Sequence, residues 1–164
     1  MAVVKNKSNS EQQLVVFHLA GETYGIDISS VHEIIRMQTV TEVPRTPDFV
    51  EGVINLRGRI VPVIDLRKRF GMRLDEATAN SRIIVVEVNG VTVGMTVDAV
   101  SEVLRLPEAN IEPPPNMFSG VDVSYLKGVG KWQERLIILL NLDKVLHLNQ
   151  QQALSESFKT GGLA

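Results

Sequence analysis

The sequence predicts a mainly β protein built as two small closed barrels. Three observations carry that prediction: the chain repeats itself, each copy opens on a hairpin signal, and each copy holds about five short strand-like runs. Gly21, Thr23, Gly25, Val31, Glu33 and Arg36 recur as Gly90, Thr92, Gly94, Val100, Glu102 and Arg105, every pair displaced by 69 positions. Six identities in order at one displacement mark an internal duplication. At the same displacement Ile34 faces Val103, Ile35 faces Leu104, Pro44 faces Pro113 and Phe49 faces Phe118. After about seven extra residues around Gly120 to Ser124 the match resumes, with Gly52, Val53, Arg59, Leu66 and Lys68 opposite Gly128, Val129, Arg135, Leu142 and Lys144.

The elements follow in order. Leu14 to Leu19 and Thr23 to Ile28 flank a turn at Ala20, Gly21 and Glu22, and in the second copy Arg82 to Val88 and Val91 to Val97 flank Asn89-Gly90. Asn-Gly between β-branched runs is the strongest short hairpin signal, because both residues tolerate the positive φ of a type I′ turn. Val50 to Leu56 and Arg59 to Ile64 form a further hairpin turning at Arg57-Gly58, echoed by Leu126 to Trp132 and Arg135 to Asn141. Pro62 has no N–H to give a ladder, so it marks an edge or a bulge. Asp65 caps a brief helix that runs to Phe70 and stops at Gly71, with Leu142 to Leu148 as its counterpart. Ser29-Ser30 stand just before another short helix, where hydroxyls cap free amides.

Each copy, about 60 residues with five strands and one helical turn, has the size of a small barrel, a closure that removes exposed sheet edges. Barrels this small are marginal alone, so the two are expected to share an apolar seam and unfold together. Residues 1–12 read as a disordered tail and 13–148 as one domain of two subdomains, about 13–71 and 81–148, with strand exchange between them left open. Met72 to Asn80 connect the copies, and 149–164 form a C-terminal tail.

Composition narrows the function. Seventeen basic against nineteen acidic residues give a formal charge of −2, which exerts no pull toward phosphate backbones or anionic lipid. Nucleic acid is therefore not an expected partner. The chain has no cysteine, which removes disulfides, thiolate metal sites and thiol catalysis. Its first eleven residues lack the apolar stretch of a signal peptide, and runs such as Leu136 to Leu140 are too short to span a bilayer. A cytoplasmic protein without membrane insertion is the expectation. His18, His32 and His147 show no metal-ligand spacing, and no serine sits in a GxSxG elbow. The glycines follow neither GxGxxG nor GxxxxGK, and Asp27, Asp65 and Asp98 are isolated. Arg67-Lys68-Arg69 reads as the solvated face of a short helix, without the interleaved aromatics of a single-strand platform. No enzyme and no cofactor or metal are expected. Met117 and Phe118, after the rigid Pro113-Pro114-Pro115, are interface candidates.

The stretch Gly52-Val53-Ile54-Asn55-Leu56-Arg57-Gly58-Arg59-Ile60-Val61-Pro62-Val63-Ile64-Asp65-Leu66 resembles the signature of the CheW family of chemotaxis coupling proteins. The resemblance takes in Tyr24-Gly25-Ile26-Asp27-Ile28, Val31-His32-Glu33-Ile34, Val93-Gly94, Val97-Asp98, Val103-Leu104, Tyr125-Leu126-Lys127-Gly128 and Leu136 to Asn141, roughly residues 13–148. The same domain also occurs in the kinase CheA and the CheV proteins; a chain of this length implies a stand-alone coupling protein. The resemblance implies two five-stranded SH3-like barrels, and a cytoplasmic adaptor recruited to membrane receptor arrays. It would join the tips of methyl-accepting chemoreceptors to the regulatory domain of the histidine kinase CheA. It further implies receptor contacts at Val31, Glu33, Ile34, Gly52, Arg57, Ile83, Val85 and Val103, and kinase contacts at Glu112, Met117 and Phe118. Glu33 and Arg57 are expected to pair across the groove between elements that touch the receptor. Two alternatives stand beside this reading: an adaptor of the same family in a pilus-motility or similar kinase pathway, and a barrel binding a small ligand or oligonucleotide.

Overall fold

A computed structural model of the protein describes residues 10–114 and 123–146. The first copy supplies β1 (Glu11–Leu19), β2 (Glu22–Asp27), β3 (Val31–Arg36), β4 (Val50–Leu56), β5 (Arg59–Asp65) and α1 (Leu66–Arg69). The second supplies β6 (Arg82–Val88), β7 (Val91–Val97), β8 (Ala99–Pro107), β9 (Ile111–Glu112), β10 (Leu126–Trp132), β11 (Arg135–Leu140) and α2 (Leu142–Val145). Strand β1 starts at Glu11, so Glu11 and Gln12 belong to the fold and not to a tail: they pair with Pro107 and Leu106.

The hairpin turns form where two adjoining residues accept positive φ. Ala20-Gly21 lie at +53° and +84°, Arg57-Gly58 at +53° and +85°, and Asn89-Gly90 at +52° and +81°. This near-mirror turn geometry matches the twist of the strands it joins. Asp65 caps α1 as expected, its carboxylate accepting from the backbone N–H groups of Arg67 and Lys68, and Asn141 caps α2 by accepting from that of Lys144. Ser29 and Ser30 do not cap: they lie inside a 3-10 turn whose cap is Asp27, which accepts from Ser29 N. Carboxylate and position both favour Asp27, since the cap must precede the amides it satisfies.

The two sheets exchange hairpins. One has the order β8-β1-β2-β11-β10-β9, the other β3-β6-β7-β5-β4. The opening hairpin of each copy thus completes the barrel-like sheet of the other copy, and the contiguous halves 13–71 and 81–148 are not the structural units. Equivalent strands hold equivalent places. The parallel pairing of β2 with β11 (Tyr24 to Ile138, Gly25 to Leu139) repeats in β7 with β5 (Gly94 to Val63, Met95 to Ile64). The β9–β10 pairing repeats as an isolated bridge between Thr41 and Val53. Pro62 sits in β5, an interior strand between β7 and β4, not at an edge; the parallel ladder with β7 begins only at Val63 and needs no N–H from Pro62. Phe49 has Tyr125 as its twin and not Phe118: Asp65 N donates to the Phe49 carbonyl and Asn141 N to that of Tyr125. The extra residues of the second copy therefore end before Tyr125.

Three apolar clusters fill the fold. Leu14, Val16, Leu104, Leu106, Ile137 and Leu139 line one barrel, and Ile54, Val61, Val63, Ile83 and Val85 the other. The largest cluster lies between them and takes Val15, Phe17 and Leu19 from β1, and Ile84, Val86 and Val88 from β6. Both faces of β1 and β6 are buried, which is why Leu14 to Phe17 and Ile83 to Val86 are uninterrupted apolar runs. Arg69 ties the copies at this seam. Its guanidinium lies 5.0 Å from the Phe49 ring and 4.8 Å from that of Tyr125, and its Nε donates to the Val145 carbonyl at 2.7 Å.

Candidate functional site

Strand β3 pairs with β6 on one side and alternates half-buried with exposed residues. Glu33 points to the mouth of its barrel, where the β4–β5 hairpin tip comes across. Asn55 fixes that tip by accepting from Gly58 N at 2.8 Å, and the left-handed backbone at Arg57 aims its side chain back at β3. Arg57 then grips Glu33 with two parallel bonds, Nη1 to Oε2 at 2.7 Å and Nη2 to Oε1 at 2.6 Å. The hydrogen bonds from Arg57 hold the Glu33 carboxyl below the usual carboxylate range, and the same bonds raise Arg57. The Arg57 side chain remains 71% exposed. A planar, bidentate, solvent-facing pair of this kind presents a fixed charge pattern to a partner.

The same strands expose apolar side chains. Ile34 is 39% and Ile60 63% exposed, and their equivalents in the second copy, Val103 and Leu136, are 53% and 62% exposed. Glu102, the twin of Glu33, also pairs with an arginine of the facing hairpin: Arg135 Nη2 donates to Glu102 Oε2 at 3.0 Å. Each copy therefore repeats one arrangement, an acidic residue of one strand bridged by an arginine of the facing hairpin, with an exposed aliphatic on each of the two elements. The arginine has changed position, since Gln133 replaces the Arg57 equivalent and Arg135 corresponds to Arg59. Ile60, Leu136 and the Glu102–Arg135 pair were not among the expected site residues. The repeat was the signal that could have found them, by carrying the Glu33 argument over to Glu102.

The expected receptor-facing residues divide. Glu33 and Arg57 meet at the hairpin tip, Ile34 is exposed on the opposite face of β3, paired with Ile84 and not with Val85, and Val103 occupies the place equivalent to Ile34 on β8 of the other sheet. Val31 is half-buried against the central cluster. Ile83 and Val85 are corrected: at 0% and 1% exposure they face the barrel interior and support β3 from beneath, without a surface to offer. Gly52 is also structural, since a β-carbon there would stand 2.1 Å from the Thr41 carbonyl oxygen. Glu112, on β9, is exposed and paired with Lys131 Nζ at 2.7 Å. Met117 and Phe118 lie outside the described residues.

Among the described residues no group of three or more His, Asp or Glu side chains could hold a metal ion. No helix there is long and apolar enough to cross a membrane.

Residues 13–150 match the family model described as a CheW-like domain. The chain is 42% identical over 135 residues to the chemotaxis protein CheW of Klebsiella aerogenes, covering 82% of this chain and 81% of the relative. It is 37% identical over 139 residues to that of Thermotoga maritima, covering 83% and 88%. The crystal structure of the scaffolding protein TtCheW from Thermoanaerobacter tengcongensis superimposes with a TM-score of 0.79 at 44% identity, covering 85% of this chain and 95% of that one.

Proposed function

We propose a function from one premise: this chain belongs to the CheW family. It is a chemotaxis scaffold, an adaptor that couples chemoreceptors to the histidine kinase CheA. The observation that carries the assignment of a surface is the Arg57–Glu33 fork, held rigid at the barrel mouth while most of the arginine stays in water. A partner meeting this surface finds a preorganised charge pair with the aliphatics Ile34 and Ile60 on the same strands, so little side-chain freedom is lost on docking. Glu33, Ile34 and Arg57 are the receptor contacts, the ion pair at the hairpin tip and Ile34 next along the exposed β3. The kinase regulatory domain takes the side of the molecule that holds β9 and Glu112. The adaptor works without chemistry of its own, by fixing the relative placement of two partners. Contacts of modest strength suffice, because a module held at two sites gains effective concentration from each.

The test is a pull-down of the purified chain against a CheA regulatory domain and a receptor cytoplasmic fragment, separately and together. Capture of both, with each raising capture of the other, is expected. A folded chain that captures neither would overturn the proposal.

A further inference from the structure

Each copy lays a stripe of side chains along one edge of a sheet, and both stripes start at the central cluster. Strand β3 ends the order of one sheet and β8 that of the other. On the face that β3 turns to the seam, Val31 stands opposite Val86, Ile34 opposite Ile84 and Arg36 opposite Arg82. The twins on β8 repeat the layout, with Val100 opposite Phe17, Val103 opposite Val15 and Arg105 opposite Gln13. Val31 and Val100 pack against the central cluster, Ile34 and Val103 are open to water, and Arg36 and Arg105 are exposed beyond them. Each stripe thus runs from a core valine through an open aliphatic to an arginine.

The fold does not account for the two arginines. Arg57, Arg67 and Arg135 hold carboxylates, Arg69 lies over two rings, and Arg82 donates to the carbonyls of Ala79 and Ser81. Among the described residues the side chains of Arg36 and Arg105 have no hydrogen bond, ion pair or ring partner. The other arginine pair matched by the repeat, Arg59 and Arg135, differs, because Arg135 holds Glu102. Arg36 even stands directly across the ladder from Arg82, where like charges destabilise. Folding is not helped by an arginine at this place, yet both copies carry one. Ile34 lies two residues from Arg36, and Val103 two from Arg105, which sets each aliphatic about 7 Å from its arginine along the strand.

We infer that Arg36 and Arg105 select the receptor by charge: each takes a carboxylate of the docked receptor surface, while Ile34 or Val103 beside it takes an aliphatic side chain. This rests on the receptor reading above and extends it from the Arg57–Glu33 pair, which is already neutralised, to two guanidinium groups whose donors are unused. An arginine fork meets a carboxylate with two parallel bonds, and neighbouring aliphatics that exclude water strengthen them. The fitting partner surface is aliphatic and carries carboxylates.

Arg36→Glu and Arg105→Glu are made singly and together in the full chain, with Arg73→Glu as control, an exposed arginine of the connector given the same change of charge. Capture of a receptor cytoplasmic fragment and of the CheA regulatory domain is measured at low and at high salt. At low salt each stripe variant is expected to bind the receptor fragment about tenfold more weakly than the parent, with the difference shrinking as salt screens the contact. Arg73→Glu, and kinase capture by every variant, should stay at the parent level. Lysine placed in turn at each exposed acidic position of the fragment is expected to restore binding to a stripe variant at one position or more. Melting curves near that of the parent are expected, since the changed side chains are exposed, and show that folded proteins are compared. Stripe variants that capture the fragment like the parent, a loss as large in Arg73→Glu, or no lysine position that restores binding would overturn the inference and leave the receptor reading in place. A folded parent that captures no receptor fragment would overturn both.

Discussion

Gly52→Ala separates a structural glycine from a contact residue. A methyl group at this position meets three atoms of the neighbouring segment: the Thr41 carbonyl oxygen at 2.1 Å, its carbon at 2.7 Å and Val40 Cγ1 at 2.9 Å. Two of the three are backbone, so no rotamer change relieves the clash. The backbone φ of +149° adds strain for any residue with a β-carbon. Pushing the Thr41 segment away also breaks its two bonds with Val53, Thr41 N to the Val53 carbonyl at 2.9 Å and Val53 N to the Thr41 carbonyl at 2.8 Å. Overpacking costs about 1–3 kcal/mol, the backbone about 1, and each lost hydrogen bond about 1. The reduced entropy of the unfolded chain returns at most about 1 kcal/mol. The net loss of about 3–5 kcal/mol lowers the melting temperature by roughly 10–15 °C for a chain of this size. Thermal unfolding followed by circular dichroism measures this, with receptor-fragment capture repeated well below the transition. A variant that melts like the parent yet loses capture would refute the steric reasoning and return Gly52 to the contact surface. Gly128→Ala is the internal control: its nearest neighbour, the Glu112 carbonyl oxygen, stands at 2.8 Å, so the same change there costs less.

Arg57→Ala should behave in the opposite way, melting with the parent because the pair is exposed, while receptor capture weakens about tenfold or more. Glu33 supplies a pH signature. Its folded-state carboxyl is held below the ordinary value, so the paired state is complete above the ordinary carboxylate range and is lost as pH falls through the lowered value. A carboxyl titration followed by NMR should show its midpoint moving upward in Arg57→Ala; an unmoved midpoint would deny the pairing in solution. Arg67→Ala removes the bonds to Asp98 Oδ1 at 3.2 Å, Asp98 Oδ2 at 2.6 Å and the Arg73 carbonyl at 2.8 Å. Asp98 keeps the Ala20 N–H and is partly exposed, so the cost is about 2 kcal/mol, readable in urea unfolding; no change would mean that water replaces these bonds fully. Residues 1–75 and 76–164 expressed separately should each lack dispersed amide resonances, because each lacks the hairpin that completes its barrel. A half that folds alone would contradict the exchange.

Much of the fold was legible because its signals are local. Asn89-Gly90, Arg57-Gly58 and the cap at Asp65 state their conformations within a few residues. The Glu33–Arg57 pair was legible too, since β3 and the β4–β5 tip belong to one copy and their side chains are long enough to meet. The exchange was not. A hairpin such as β1–β2 carries the same turn and the same apolar residues whether it completes its own barrel or the other one, so partner choice leaves no local trace. Ile83 and Val85 misled for a related reason: a strand buried on both faces shows no alternation that would say which residues reach the surface. The doubled surface was half visible, because the glutamate repeats in register while the arginine moves by two positions.

The exchange also bears on what an adaptor must do. Two barrels in sequence along a chain would meet only at a linker and an interface, and such domains shift against each other by default. Here β3, which carries Glu33 and Ile34, is paired along its length to β6 of the other copy, and β8, which carries Glu102 and Val103, to β1 of the first. The faces of β1 and β6 turned away from their barrels then bury Val15, Phe17, Ile84 and Val86 in one cluster. Sliding one surface against the other therefore breaks either a backbone ladder or the central core, and neither yields by small steps, since packed interiors resist continuous deformation. A displacement imposed on one surface is carried to the other as motion of the whole body. A coupling protein can pass on position in this way, and the exchanged hairpins are the feature of this sequence that removes the hinge.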